Sequence, residues 1–144
     1  SSRDAEVKWL DGVVRESVRS SRIEAPQALV QQSATNREQE YLKKLAELNL
    51  KLEEFLKMQN TTLEKLKQEW VQESSRKLNE ELLLLEIIKA QQLTVTEPEI
   101  TAEIERVTDA KVKTDLNTPD GKRYLVTVLL QQKAVDWLKK QVQE

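Results

Sequence analysis

Apolar side chains recur along this chain at steps of three and four residues, and almost nothing interrupts them: 144 residues hold only 2 Gly and 3 Pro. Steps of three and four place side chains on one face of a helix, and Gly and Pro are the residues that most often end helices. The chain is therefore constrained to be mostly helical. No alternating apolar and polar run reads as a strand, and no internal repeat is present.

The first stripe is Val7, Leu10, Val14 and Val18, ending in Ser20-Ser21-Arg22. Ile23-Glu24-Ala25-Pro26 then reads as a break and restart, with a second helix expected from Pro26, because proline suits a first helical turn and disfavours helix before it. That helix carries Leu29, Val30 and Ala34, then a polar stretch through Glu40. From Tyr41 the stripe Tyr41, Leu45, Leu48, Leu52, Phe55 continues with Leu42, Leu50 and Leu56 beside it, unbroken until Gln59-Asn60-Thr61-Thr62. Thr61 and Glu64 form a capping-box pattern there, so a helical hairpin is expected. The longest helix should follow, about 62 to 92. Its second half, Leu82-Leu83-Leu84-Leu85 with Ile87-Ile88, is apolar around more than half its circumference and should serve as a hub. Thr96-Glu97-Pro98-Glu99 repeats the cap logic before Ile100, Ile104 and Val107. Residues 108–117 allow one or two helical turns, and Thr118-Pro119-Asp120-Gly121 starts a last helix through Tyr124, Leu125, Val128, Leu129, Val135, Leu138 and Val142.

Composition excludes much chemistry. There is no Cys and no His, so disulfides, thiolate nucleophiles and the commonest metal ligand and general base are absent. Absence of Cys fits a reducing compartment. A net charge of -2 shows no overall footprint for nucleic acid. The longest apolar run, Leu82 to Leu85, is far short of the roughly 18 to 20 residues of a membrane span. Glu53-Glu54, Glu80-Glu81 and Glu97/Glu99 read as solvated helix charge or caps. Ser20-Ser21 and Ser74-Ser75 lack the glycine loop that a nucleophilic serine uses for its oxyanion. Trp9, Trp70 and Trp137 fall on or beside apolar stripes, where core or interface packing is expected. No catalytic residue, cofactor or metal ligand is expected, and the chain reads as an interaction protein.

One group stands apart. Tyr41, Leu45, Leu48, Leu50, Leu52, Phe55, Leu56 and Met58 lie toward the end of the expected hairpin. They either zip the hairpin or present an adaptable apolar surface, to which a flexible Met is suited.

The order of these segments resembles the C-terminal chaperone domain of trigger factor, over nearly the whole chain. The residues that carry the resemblance are Ile23-Glu24-Ala25-Pro26-Gln27-Ala28-Leu29-Val30, Leu52-Glu53-Glu54-Phe55-Leu56-Lys57, Leu78 to Ile88, Leu93 to Ile100, Ala102-Glu103-Ile104-Glu105-Arg106 and Gln132 to Leu138. Family members often have Gly before the Leu-Glu-Glu segment, where this chain has Leu48-Asn49-Leu50-Lys51. The segment from Ile104 to Tyr124 is short, which implies a stunted second arm. The family's Gly-Phe-Arg-x-Gly-Lys ribosome-docking segment and FKBP-like isomerase domain are missing, so the chain reads as an excised domain with Ser1-Ser2 a foreign leader, or as a naturally short form.

The resemblance implies an all-α, elongated multi-helix domain with helical-hairpin arms, of trigger factor C-terminal or SurA-like architecture. It implies a single chaperone domain over 1–144: a truncated first helix to about 24, a first arm and hub helix over 25–92, and a second arm and closing helix over 93–144. It further implies ATP-independent binding of unfolded or nascent polypeptide in the bacterial cytoplasm, assisting folding and export, as a monomer or weak dimer without direct nucleic-acid or membrane contact. Ribosome binding and prolyl isomerisation would belong to the missing domains. The competing readings are a helical scaffold or coiled-coil adaptor and a periplasmic SurA-type chaperone core.

Overall fold

A computed structural model describes the backbone of residues 2–21 and 23–143 and the side chains of residues 4–19 and 23–142. The Ser20-Ser21 pair singled out in the sequence lies, in its side chains, outside the described residues. Among the described residues there are seven helices and no strand: α1 (Ser2–Ser21), α2 (Gln27–Glu47), α3 (Leu52–Met58), α4 (Leu63–Ala90), α5 (Glu97–Arg106), α6 (Ala110–Leu116) and α7 (Pro119–Gln143). The fold is all-α. It divides into two compact units, one of residues 18–82 and one of residues 1–17 with 83–144.

The unit of residues 18–82 is built on antiparallel α2 and α4. Pro26 is the N-cap of α2 and not its first helical residue; its carbonyl accepts from the amides of Leu29 and Val30 at 3.0 and 3.2 Å. The preceding extended backbone is tied to α4 by the Ala25 amide, which donates to Asn79 Oδ1 at 2.6 Å. Further along, Lys67 pairs with Glu38 at 3.4 Å, so numbers fall on α4 as they rise on α2. That register sets Val30, 1% exposed, level with Ser74, which is fully buried. With Ala25 and Ala34 also buried, the helices meet through small side chains.

The uninterrupted stripe from Tyr41 to Phe55 does not form one helix. The chain leaves α2 after Glu47, and Asn49 takes a left-handed φ of 55°. There the Leu50 amide donates to the Leu45 carbonyl at 2.9 Å and the Asn49 amide to Ala46 at 3.1 Å, the paired bonds of a Schellman cap. The same bonds close α3, where Asn60 has φ 55° and the Thr61 amide donates to Leu56 at 3.1 Å. They close α4 as well, where Gln92 has φ 51° and the Leu93 amide donates to Ile88 at 3.0 Å. Asn tolerates this conformation through its short polar side chain, whereas Gln has no such compensation. Helix α4 is capped by Thr62 and not Thr61: the Lys65 amide donates to Thr62 Oγ1 at 3.2 Å.

In the unit containing residues 83–144, Ile100, Ile104 and Leu125 form a buried cluster from α5 and α7, flanked by Val95, Leu116 and Val126. Leu83 and Ile87 of α4 are buried, but Leu85 remains 48% exposed, so neighbours cover only part of the expected hub. The Thr96 capping box forms as the sequence predicts, with Thr96 Oγ1 accepting from the Glu99 amide and Glu99 accepting from the Thr96 amide at 3.2 Å. The Glu99 carboxylate also pairs with Lys133 of α7 at 2.8 Å, and Lys133 donates to the Thr94 carbonyl at 2.7 Å. The Lys133 hydrogen bond, then the Thr96 amide, holds the Glu99 carboxyl below its ordinary value of 4.5. Residues 108–117 contain the short α6, capped by Asp109, which accepts from the amides of Lys111 and Val112. Helix α7 starts at Pro119 with the Gly121 amide donating to Thr118 Oγ1 at 3.0 Å. A Cβ at Gly121 would lie 2.6 Å from Leu116 Cα and from its carbonyl oxygen, so only glycine admits this tight α6 to α7 junction.

Three outcomes follow from these contacts. The Ser74 hydroxyl is buried without a hydrogen-bond partner. Ser74→Ala removes that desolvated group and raises helix propensity, so it should raise stability by about 1 kcal/mol in urea unfolding; a loss would show that the hydroxyl is satisfied. Gln92→Gly should stabilise by about 1 kcal/mol by relieving the left-handed backbone, and by more than Asn49→Gly or Asn60→Gly. Because the folded pKa of Glu99 is lowered, its contribution is present above the unfolded value and is lost as pH falls through the folded one. The melting temperature should therefore drop on acidification from about pH 5 to about pH 3, and Glu99→Gln should flatten part of that drop while lowering stability at neutral pH.

Candidate functional site

The cap at Asn49 ends α2 while its apolar stripe is still running, and this determines what becomes of the candidate residues. Leu45, one turn before the end, is buried and belongs to the hairpin packing. Leu48, three residues further on the same stripe, is 67% exposed, and Leu50 is 42% exposed. Met58, the last residue of α3, is 78% exposed. Leu52, Phe55 and Leu56 of α3 are half-buried, as is Tyr41 of α2. Leu42, on α2, is exposed beside them.

Tyr41 connects these elements. Its ring lies 6.1 Å from Phe55 at 60° and 5.3 Å from Trp70 at 59°, both tilted arrangements in which aromatic edges meet faces. One side of this group opens into a cavity of about 400 Å³ lined by Tyr41, Phe55, Gln59, Thr61, Leu66 and Glu69. Of the eight candidate residues, the structure brings Tyr41 and Phe55 together on this cavity. Leu56 lines a separate polar cleft with Lys57, Asn60, Thr61, Thr62 and Lys65. Gln59, Leu66, Glu69 and Trp70 were not among the candidates, although Leu66 and Trp70 stand on the α4 stripe and the antiparallel register would have placed them opposite α2.

The ionic groups nearby are structural. Arg76 bridges Glu73 and Glu80 along α4, with the Glu80 contact at 2.7 Å. The Arg76 hydrogen bond holds the Glu73 carboxyl below its ordinary range against a desolvation that raises it. Ser74, whose sequence neighbourhood raised the question of a nucleophile, has no access to solvent. Trp9, expected in a core or an interface, is 38% exposed on α1 and so lies outside the core. Among the described residues no group of carboxylates is arranged to hold a metal ion, and no helix is long and apolar enough to cross a membrane.

The arrangement therefore offers apolar contact: three exposed flexible or branched side chains at the ends of α2 and α3, and an aromatic cavity bordered by Tyr41 and Phe55. Residues 4–140 match the family model described as the C-terminus of bacterial trigger factor protein. A trigger factor of Bacillus cereus strain B4264 is 29% identical over 141 residues, covering 94% of this chain and 32% of the relative. One from Bacillus thuringiensis strain Al Hakam is 28% identical over the same shares. The chain thus spans about a third of the length of the curated relatives it matches, and no solved structure matches it. With the match running from α1 nearly to the end of α7, this chain belongs to the bacterial trigger factor C-terminus family.

Proposed function

We propose that this chain is an ATP-independent chaperone module that holds unfolded or nascent polypeptide against the surface formed at the end of α2 and along α3. The observation that carries this reading is the exposure of Leu48, Leu50 and Met58 at the ends of α2 and α3, the helices that contribute the paired Tyr41 and Phe55 rings, in a chain of this family. Large apolar side chains left uncovered at one end of a helical pair commonly mark a binding surface. Of the eight candidates, Leu45 serves the hairpin, and Tyr41, Leu48, Leu50, Leu52, Phe55, Leu56 and Met58 are the client-facing set.

The energetics suit transient holding. Burying one Leu or Phe contributes roughly 1.5 to 3 kcal/mol, and micromolar binding needs about 8 kcal/mol net of association costs. Four to six apolar anchors, each covered fully by client, reach that range without making release slow. The module acts as a monomer or weak dimer in the bacterial cytoplasm, while ribosome attachment and prolyl isomerisation belong to other parts of longer relatives. Enzymatic activity is not assigned to this chain.

Dilution of a chemically unfolded, aggregation-prone protein into buffer tests this. The chain should suppress light scattering without nucleotide, and replacing Leu48, Leu50 and Met58 together by Ser should weaken suppression about tenfold, the equivalent of about 1.4 kcal/mol. The melting temperature should stay within a few degrees, because all three side chains are exposed. Unchanged suppression by the triple variant would place client binding elsewhere. A stable dimer in sedimentation at micromolar concentration would favour the scaffold reading instead.

A further inference from the structure

Tyr41 has a second side, where with Trp70 it floors a groove of about 430 Å³ whose remaining walls are Arg37, Glu40, Lys44 and Lys77. This volume falls within the roughly 300 to 1,000 Å³ of ordinary ligand pockets. Arg37, Glu40, Tyr41 and Lys44 are spaced 3, 1 and 3 along α2, which puts them on one helical face, and Trp70 and Lys77 are two turns apart on α4. All six lie in the unit of residues 18–82.

The charge of this groove runs against that of the chain. Three cations and one carboxylate line it, whereas the whole chain has a net charge of -2. A further carboxylate within electrostatic reach of Arg37 and Lys77 is Glu73, and it is hydrogen-bonded by Arg76, with Nε to Oε2 at 3.0 Å. Beyond Tyr41, the aromatic cavity carries a carboxylate, Glu69, and no cation, while a smaller pocket against Trp70 is lined by both Glu38 and Lys67. Tyr41 thus borders both this basic groove and a cavity whose one charged wall residue is a carboxylate.

We infer that the basic face is a subsite for extended segments of unfolded chain in which Asp or Glu flanks a large apolar residue. The apolar side chain lies on Tyr41 and Trp70, and the flanking carboxylates meet Arg37, Lys44 and Lys77. This rests on the chaperone reading and adds a sequence preference to it: charge complementarity in a partly open groove selects among segments of equal hydrophobicity. Each exposed pair contributes a factor of up to about five, so three cations working together give a measurable preference where one would not.

Fluorescence anisotropy with two labelled, unstructured peptides tests the inference. Both carry the same Phe and Leu residues, interleaved with Glu and Asp in one and with Lys in the other. The acidic peptide should bind at least about fivefold more tightly at low salt, lose that advantage as salt is raised, and change the emission of Trp70 in a Trp9→Phe, Trp137→Phe background. Arg37→Ala with Lys77→Ala should bring the two affinities together while leaving scattering suppression of a bulk client largely intact. If suppression occurs but the peptides bind equally, or the preference survives the double variant, the inference falls and the chaperone reading stands. Displacement of the acidic peptide by an equimolar single-stranded oligonucleotide would overturn it in favour of a phosphate-binding groove. If neither peptide binds and scattering is not suppressed, both readings fall.

Discussion

The architecture depends on left-handed helix caps made without glycine. A helix leaves its last carbonyls without partners, and a residue with positive φ lets the chain turn back to satisfy them. In this chain neither glycine does that work: Gly12 lies within α1, and Gly121 serves a close approach. Asn49, Asn60 and Gln92 end α2, α3 and α4 in its place. The first two bring the chain round from α2 through α3 to α4, and the third releases it toward α5. Each reversal runs through a backbone conformation that its residue tolerates rather than prefers.

That choice explains where the sequence was legible and where it was not. Capping by side-chain oxygen has a readable pattern, and the Thr96, Glu99 and Thr118 contacts appear where the residue order predicts them. Cooperating apolar spacing likewise reveals α1, α4 and α7. A left-handed cap on Asn49 leaves almost no trace, because Leu48-Asn49-Leu50 keeps the apolar rhythm that an intact helix would have. The same blindness shifted the α4 cap: Thr61 and Thr62 both fit a capping pattern, and the turn at Asn60 makes Thr61 the residue whose amide closes α3, leaving Thr62 as the cap.

The sequence presents the eight candidate residues as one group, and the structure divides that group. Leu45 and Leu48 are equivalent by periodicity, yet one is buried and the other 67% exposed. The difference lies in the end of α2 between them, and stripe arithmetic carries no information about where a helix stops. Trp70 was readable as an apolar-stripe residue, but its meeting with Tyr41 requires the antiparallel register that Lys67 to Glu38 and Ala25 to Asn79 establish. Long-range register of that kind depends on pairwise fit between small side chains such as Val30, Ala34 and Ser74, which no single segment encodes.

Small residues between α2 and α4 also explain how one thin pair of helices carries two different faces. Since Val30, Ala34 and Ser74 bring the helices close along part of their length, large rings further along have no room to bury fully between them. Tyr41 and Trp70 instead remain half-buried, Tyr41 bordering both the aromatic cavity and the basic groove and Trp70 bordering the groove. Helical spacing then decides the character of each side: Arg37 and Lys44 flank Tyr41 four residues before and three after, while Glu69 precedes Trp70 by one and falls on the other wall. A wider, Leu-filled interface at Val30 and Ser74 would hold the helices further apart and draw both rings inward, so the close packing in the core is what keeps the aromatic surface accessible.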